Sequence, residues 1–198
     1  MKKLLKILGI IVLVIIGLYL ASIPYLRSKN VVKETMFFTP TKYDTSKIFN
    51  QLDSKYLTFI TKDDVQNTAN QFISKKGSDS IKLNNTSIIR RYKEFIPSSN
   101  SEFYTIKPQV VTKTGIFMLG NQFNVFNMLD DLTELSKKDS TQIFVITYNG
   151  NGFSTGKSDF TTQFKVNQAF YEFVNKQNAV NFIAGHSLGT VFATKLAV

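Results

Sequence analysis

The sequence predicts an α/β fold, a doubly wound sheet with helices on both faces, preceded by one N-terminal transmembrane helix. Three observations carry this. Residues 7–26 hold no charge and are dominated by Ile, Leu and Val, with Lys2, Lys3 and Lys6 before them and Arg27 and Lys29 after. From about residue 110 short apolar runs alternate with segments of helical periodicity. The strand-like runs in that half are apolar throughout rather than alternating, the pattern of a parallel sheet covered on both faces.

At about 1.5 Å per residue the first run spans a hydrocarbon core of about 30 Å. A cleaved signal peptide competes with a retained anchor. Small residues are missing at the −1 and −3 positions, however: cleavage after Ala21 puts Tyr19 at −3, and cleavage after Ser22 puts Leu20 there. We therefore read residues 1–27 as an uncleaved signal anchor and the protein as a single-pass membrane protein. Basic residues flank both ends, and the free amino terminus tips the balance toward a domain on the extracytoplasmic side.

The formal charge of +10 invites a nucleic-acid reading, but its location argues otherwise. Six of the 24 basic residues (Lys2, Lys3, Lys6, Arg27, Lys29, Lys33) flank the apolar run, and the 14 acidic residues nearly balance the rest. Arg90-Arg91-Tyr92-Lys93 is the densest basic cluster left, and it reads as the exposed face of a strand. No aromatic-basic interleaving accompanies it, so no nucleic-acid partner is expected. Cysteine is absent, which removes disulfides and thiolate metal sites and leaves the redox compartment open. One histidine and scattered carboxylates make no ligand cluster, so neither a metal nor an organic cofactor is expected.

Residues 28–50 are polar and irregular, with Pro40 among several Thr, and read as a tether to a domain over 51–198. Asp63-Asp64 followed by Val65, Ala69 and Phe72 predicts a helix. "SIKLNNTSIIRRYKEFI" predicts two short strands around an Asn84-Asn85 turn. "TGIFML" is a short strand ending at Gly120-Asn121, and Phe126, Leu129, Leu132 and Leu135 have helical spacing. "TQIFVITY" is a β-branched and aromatic strand leading into the glycine-rich "NGNGFSTG". Phe164, Ala169, Phe170, Phe173 and Val174 share a helical face, and "AVNFIAG" is a further buried strand.

That last strand runs into Gly185-His186-Ser187-Leu188-Gly189, with an apolar helical pattern after it. A serine between two glycines at a strand-to-helix turn is the arrangement of a nucleophile elbow: the glycines permit the tight turn, and the serine stands at the carboxyl end of the sheet.

With this motif the sequence resembles the α/β-hydrolase superfamily, in particular its membrane-anchored serine aminopeptidase and lipase-like branch. "FMLGNQFN" is similar to that branch's His-Gly-Asn loop after the third strand, and "TYNGNGFSTG" to its Tyr-Arg-Gly-Tyr-Gly-x-Ser-x-Gly segment. The three landmarks keep the family's order over about residues 113–198. Leu119 stands where the family has histidine, and Asn149 where it has arginine. The resemblance implies hydrolysis of esters, amides or thioesters through an acyl-enzyme on Ser187, with the backbone N–H groups of Leu188 and Asn121 forming the oxyanion hole.

The family's acid and histidine follow the elbow in chain order. After Ser187 the sequence reads "LGTVFATKLAV", with neither. His186 is the chain's only histidine; alternation at a strand end turns it away from Ser187, so it is expected to pack beneath the elbow. Lys195, two helical turns on, is a remote candidate base. The expectation is thus a partial α/β-hydrolase sheet ending just after the elbow, truncated and inactive alone, whose intact parent acts on a small-molecule, lipid or peptide substrate. Two other readings stay open: a membrane-tethered, non-catalytic binding module on a degenerate hydrolase fold, and a secreted or periplasmic binding protein.

Overall fold

The computed structural model describes residues 12, 14–18, 22, 41–43, 55, 57–75 and 77–197. The chain divides into two units, Met1–Phe37 and Phe38–Val198. In the first, residues 12, 14–18 and 22 are helical, and Val12, Val14, Ile15, Ile16 and Leu18 are exposed. Among the described residues no helix is long and apolar enough to cross a membrane, and most of the span predicted over 7–26 lies outside them. Of the predicted tether, 28–50, only residues 41–43 are described.

The second unit opens with helix α1, Lys62–Ser74. A reciprocal capping box starts it: the Thr61 hydroxyl accepts from the Asp64 N–H, and the Asp64 carboxylate accepts from the Thr61 N–H, both at 3.1 Å. Val65, Thr68, Ala69 and Phe72, at the spacing of one helical face, are buried as the sequence pattern predicts. Strands β1, Asp79–Leu83, and β2, Thr86–Ile96, form the predicted hairpin. Asn84 (φ 45°) and Asn85 (φ 64°) both take the left-handed conformation that a two-residue hairpin turn requires and that asparagine tolerates.

Strand β3, Ser99–Lys107, has no counterpart in the sequence reading. Both of its faces are buried, yet Ser101, Glu102 and Thr105 are among its buried residues, so it shows neither an apolar run nor a clean alternation. Strand β4, Lys113–Met118, leads through a 3₁₀ turn, Val125–Met128, into helix α2, Leu129–Lys138. Strand β5, Thr141–Ile146, is followed by the glycine-rich loop and helix α3, Phe160–Gln177. Strand β6, Phe182–Gly185, and helix α4, Leu188–Leu196, complete the described chain.

The six strands lie in the order β1-β2-β3-β5-β4-β6. The predicted parallel sheet holds for β4, β5 and β6. The whole sheet is mixed, because β1, β2 and β3 are antiparallel to one another and β3 is antiparallel to β5. Helices cover both faces. One core gathers Phe72, Tyr104, Ile106, Phe126 and Leu132 under α1 and α2. The other gathers Phe103, Met118, Ile146, Phe170 and Phe192 under α3 and α4. The strand predicted as buried in "AVNFIAG" is only half-buried, because among the described residues β6 pairs with β4 alone.

Candidate active site

Strand β6 stops at Gly185 and helix α4 starts at Leu188, so the chain reverses direction in two residues. Ser187 takes φ 52° and ψ −119°, a conformation that L side chains adopt at a cost of about 1–3 kcal/mol. The surroundings enforce it. A Cβ on Gly185 would overlap the carbonyl of Gly189 and lie 2.6 Å from the Thr190 nitrogen. A Cβ on Gly189 would overlap the carbonyl oxygen of Met118 and lie 2.6 Å from that of Leu119. The first turn of α4 therefore rests directly on backbone at the end of β4, and only glycine fits at either position.

Ser187 is exposed, and its hydroxyl makes no hydrogen bond to a described residue. The Leu188 N–H is one of the N-terminal amides a helix leaves without an internal acceptor, and it stands at the positive end of the helix dipole. Leu188 itself is 7% exposed, its side chain anchored in the α3/α4 core.

The loop after β4 lies against the elbow. The His186 N–H donates to the Met118 carbonyl at 3.0 Å, and a Cβ on Gly120 would come within 2.8 Å of His186 Nδ1. The loop is shaped by Gln122 (φ 61°), by a Phe123 N–H to Gly120 carbonyl bond of 3.3 Å, and by Asn124. The Asn124 side chain accepts from the N–H groups of Phe126 and Asn127 at 2.9 and 3.3 Å, and Asn127 returns a bond to the Asn124 N–H at 3.0 Å. Asn121 lies half-buried in this loop, and its N–H donates to no described residue. Tyr148 fixes the base of the loop through a hydrogen bond from its hydroxyl to the Leu119 carbonyl at 2.5 Å. Burial pushes the Tyr148 phenol far up, so it stays a donor.

His186 corrects one expectation. It does not pack beneath the elbow: it is exposed, with its ring 4.8 Å from that of Phe123. The reason is that β6 ends at Gly185, so His186 belongs to the turn and strand alternation no longer governs it. Asp131, on α2, senses this imidazole: partial burial holds its carboxyl above the usual range, Asp130 and Glu134 add to that, and His186 acts the other way. Lys195 is directed elsewhere, its Nζ 4.2 Å from the Phe164 ring centroid on α3.

The glycine-rich loop after β5 is tied down by polar groups, of which the sequence reading singled out Asn149 alone. Asn149, at the position where the resembled family has arginine, is fully buried; its N–H donates to Gln163 Oε1 at 2.8 Å and its Oδ1 accepts from the Ser99 hydroxyl at 2.8 Å. Ser154 bridges the Thr147 carbonyl (3.0 Å) and the Glu102 N–H (2.9 Å). The fully buried Glu102 carboxylate accepts from Tyr104 and Tyr43 at 2.6 Å each, with Arg90 Nη1 3.7 Å away. Tyr43 comes from the stretch read as tether, and its neighbour Thr41 exchanges bonds with Gly152 (2.9 Å) and Asn151 (2.8 Å). Glu102 escaped sequence reading because β3 did, and no spacing links Tyr43 to a partner 59 residues on.

No family model and no curated protein matches the chain. Solved structures do. Acetyl xylan esterase 1 from Thermoanaerobacterium sp. is similar at 14% identity and a TM-score of 0.52, over 86% of this chain and 58% of that one. EstE1, a thermostable carboxylesterase from a metagenomic library, is similar at 11% identity and a TM-score of 0.47, over 78% and 49%. A predicted hydrolase from Thermoplasma acidophilum shares 15% identity at a TM-score of 0.46, over 57% and 56%. The chain thus spans about half the length of these structures. Its mixed sheet with helices on both faces agrees with the esterase match above a TM-score of 0.5: the chain has the fold of the α/β-hydrolase superfamily.

Proposed function

We propose that the chain is the part of a serine hydrolase that carries its nucleophile. Ser187 attacks the carbonyl carbon of an ester, amide or thioester as a general base takes its hydroxyl proton, and that proton passes to the leaving group, which departs as the acyl-serine forms. The N–H groups of Leu188 and Asn121 receive the oxyanion. The observation that carries this reading is the backbone of Ser187: a non-glycine residue at φ 52°, ψ −119°, held between two glycines by contacts that leave no room for a Cβ. Strain at one exposed serine, at the carboxyl end of a parallel strand and the start of a helix, is what presenting a nucleophile requires.

This reading requires a general base, and no described residue hydrogen-bonds the Ser187 hydroxyl as one. His186 is the only histidine, and its ring is engaged with Phe123. Without a base the serine hydroxyl is a weak nucleophile. We place the domain at a membrane, on the extracytoplasmic side, as in the membrane-anchored branch whose motifs it resembles. The apolar run and the exposed helical residues Val12, Val14, Ile15, Ile16 and Leu18 support this placement. An apolar, lipid-like or peptide acyl donor suits such a location. The lack of any described partner for the Ser187 hydroxyl supports a second reading, a tethered binding module that keeps the elbow without its chemistry.

A fluorophosphonate probe separates the two. A chain extended by downstream coding sequence that supplies Asp and His is expected to label at Ser187, with labelling lost in Ser187→Ala. A folded, extended chain that fails to label would overturn the hydrolase reading and favour the binding module.

A further inference from the structure

Strands β1 to β3 sort their charges by face. Side chains alternate along a strand, and directly opposed residues share a face. The register pairs Asp79 with Arg90, Lys82 with Ser87, Ser87 with Lys107, and Tyr92 with Glu102. Asp79, Arg90, Glu94 and Glu102 therefore fall on the face toward α1. Lys82, Arg91, Lys93 and Lys107 fall on the other, and these eight are all the charged residues of the three strands. The basic cluster read from sequence as one exposed face is thus split. Arg90 is fully buried, with its guanidinium on Asp79 at 2.7 Å and 5.1 Å from the Phe72 ring centroid, while Arg91 and Lys93 face solvent.

The four cations of the outer face are exposed, and none forms an ion pair with a described residue. They line two adjoining grooves. One, of about 400 Å³, runs past Arg91, Lys93 and Lys107 over Phe103 and Phe144 to the end of α3. The other, of about 380 Å³, continues from Lys107 to Lys82 beside Ser87. Ile89 and Lys107 belong to both, and no carboxylate lines either. Protection of a sheet edge against pairing is served by charge of either sign; it does not account for four unneutralised charges of one sign along a trough.

We infer that this trough binds a linear polyanion, a polymer of repeated phosphate groups laid along β2. From Lys107, opposite Ser87, to Lys93 is six residues, about 20 Å, and Arg91 and Lys93 are one two-residue step apart, about 6.6 Å. A row of point charges matches a chain of anions rather than one phosphate, which needs its donors to converge. A concave trough matches a threaded chain rather than a flat bilayer. Phe103 and Phe144 are each 4% exposed, and the half-buried Phe173 ring in the same groove carries Lys93 Nζ 4.9 Å over its centroid, so no open row of ring faces is offered for stacking bases, which sets this site apart from single-stranded nucleic-acid grooves. The site is independent of Ser187.

The test is binding of long-chain inorganic polyphosphate to the full chain in detergent, followed across salt concentrations. Four contacts at about 0.7 each give a slope of about −3 in log affinity against log salt. R91E/K107E is expected to lower affinity at least tenfold and flatten the slope, and K82Q/K93Q/K107Q, neutral at the same surface, to repeat the loss. K62E/K165E changes net charge as much as R91E/K107E does, at exposed positions elsewhere, and is expected to bind within twofold of the parent. No binding at low salt, or equal losses in both double variants, would overturn the site. Phosphatidylglycerol vesicles form the second arm: tighter binding to them than to polyphosphate, abolished by R91E/K107E, would replace the polymer with a membrane surface.

Discussion

Gly189 stands so close to the carbonyl oxygen of Met118 that a Cβ at position 189 would overlap it. This contact sets the first turn of α4 on the end of β4 and closes the turn in which Ser187 is strained. Gly189→Ala and Gly185→Ala each drive a methyl into backbone that has no rotamer to change. Each is expected to cost at least about 3 kcal/mol in urea unfolding, or to prevent folding. Ser187→Gly tests the other side of the relationship. It is expected to raise stability by about 1 kcal/mol, because glycine occupies φ 52° without strain, while removing all probe labelling from an extended, labelling-competent chain.

Tyr148 and Leu119 are 29 residues apart, and their hydrogen bond holds the loop that carries Asn121. Tyr148→Phe keeps the ring contact with Phe192 at 5.4 Å and removes only the donor. The expected loss of stability is about 1 kcal/mol. In an extended, labelling-competent chain the larger expected effect is on labelling rate, reduced about tenfold or more as the loop loses its anchor; equal rates would place Tyr148 outside the site's support.

Asp130 has a structural duty that its position in the first turn of α2 conceals. Its carboxylate accepts from three successive N–H groups, Thr58 at 2.9 Å, Phe59 at 2.9 Å and Ile60 at 2.7 Å, and so seats the segment before α1. Asp130→Ala leaves three donors unmet and is expected to cost about 2–4 kcal/mol in denaturant unfolding. Asp131→Ala, next in sequence and exposed, is expected to change stability by less than about 0.5 kcal/mol.

Glu102 should make stability depend on pH in an unusual direction. Burial raises its pKa above the ordinary 4.5, and the bonds from Tyr104, Tyr43 and the Phe153 N–H, with Arg90, offset this only in part. A carboxyl whose folded pKa lies above its unfolded one holds an extra proton in the folded state, so stability falls as pH rises from about 4.5 through the folded value. Urea midpoints between pH 4 and 8 are expected to show this fall in the parent. In Glu102→Gln the component should vanish. Tyr43→Phe, which removes one donor to the carboxylate, is expected to push the pKa of Glu102 further up and shift the fall to higher pH.

Much of the fold was legible because local chemistry and tertiary context agreed. The Asn84-Asn85 turn, the buried face of α1 and the runs that became β4 and β5 were readable as single signals. The candidate nucleophile was legible too, since Gly185, Ser187 and Gly189 lie within five residues. Strand β3 was not, because Ser101, Glu102 and Thr105 are buried there by partners distant in sequence rather than by hydrophobicity. The orientation of His186 was not, because it depends on where β6 ends, a matter of one residue.

By itself, then, the sequence determined that this is an α/β chain with its serine on a strand-to-helix turn, since periodicity and glycine spacing are properties of neighbours along the chain. The tertiary structure decided that the sheet is mixed, that Tyr148 holds the Leu119 carbonyl, that Glu102 binds Tyr43, and that four cations share one face. These are contacts between residues far apart in sequence or positions in a register, and they exist only once the strands have paired.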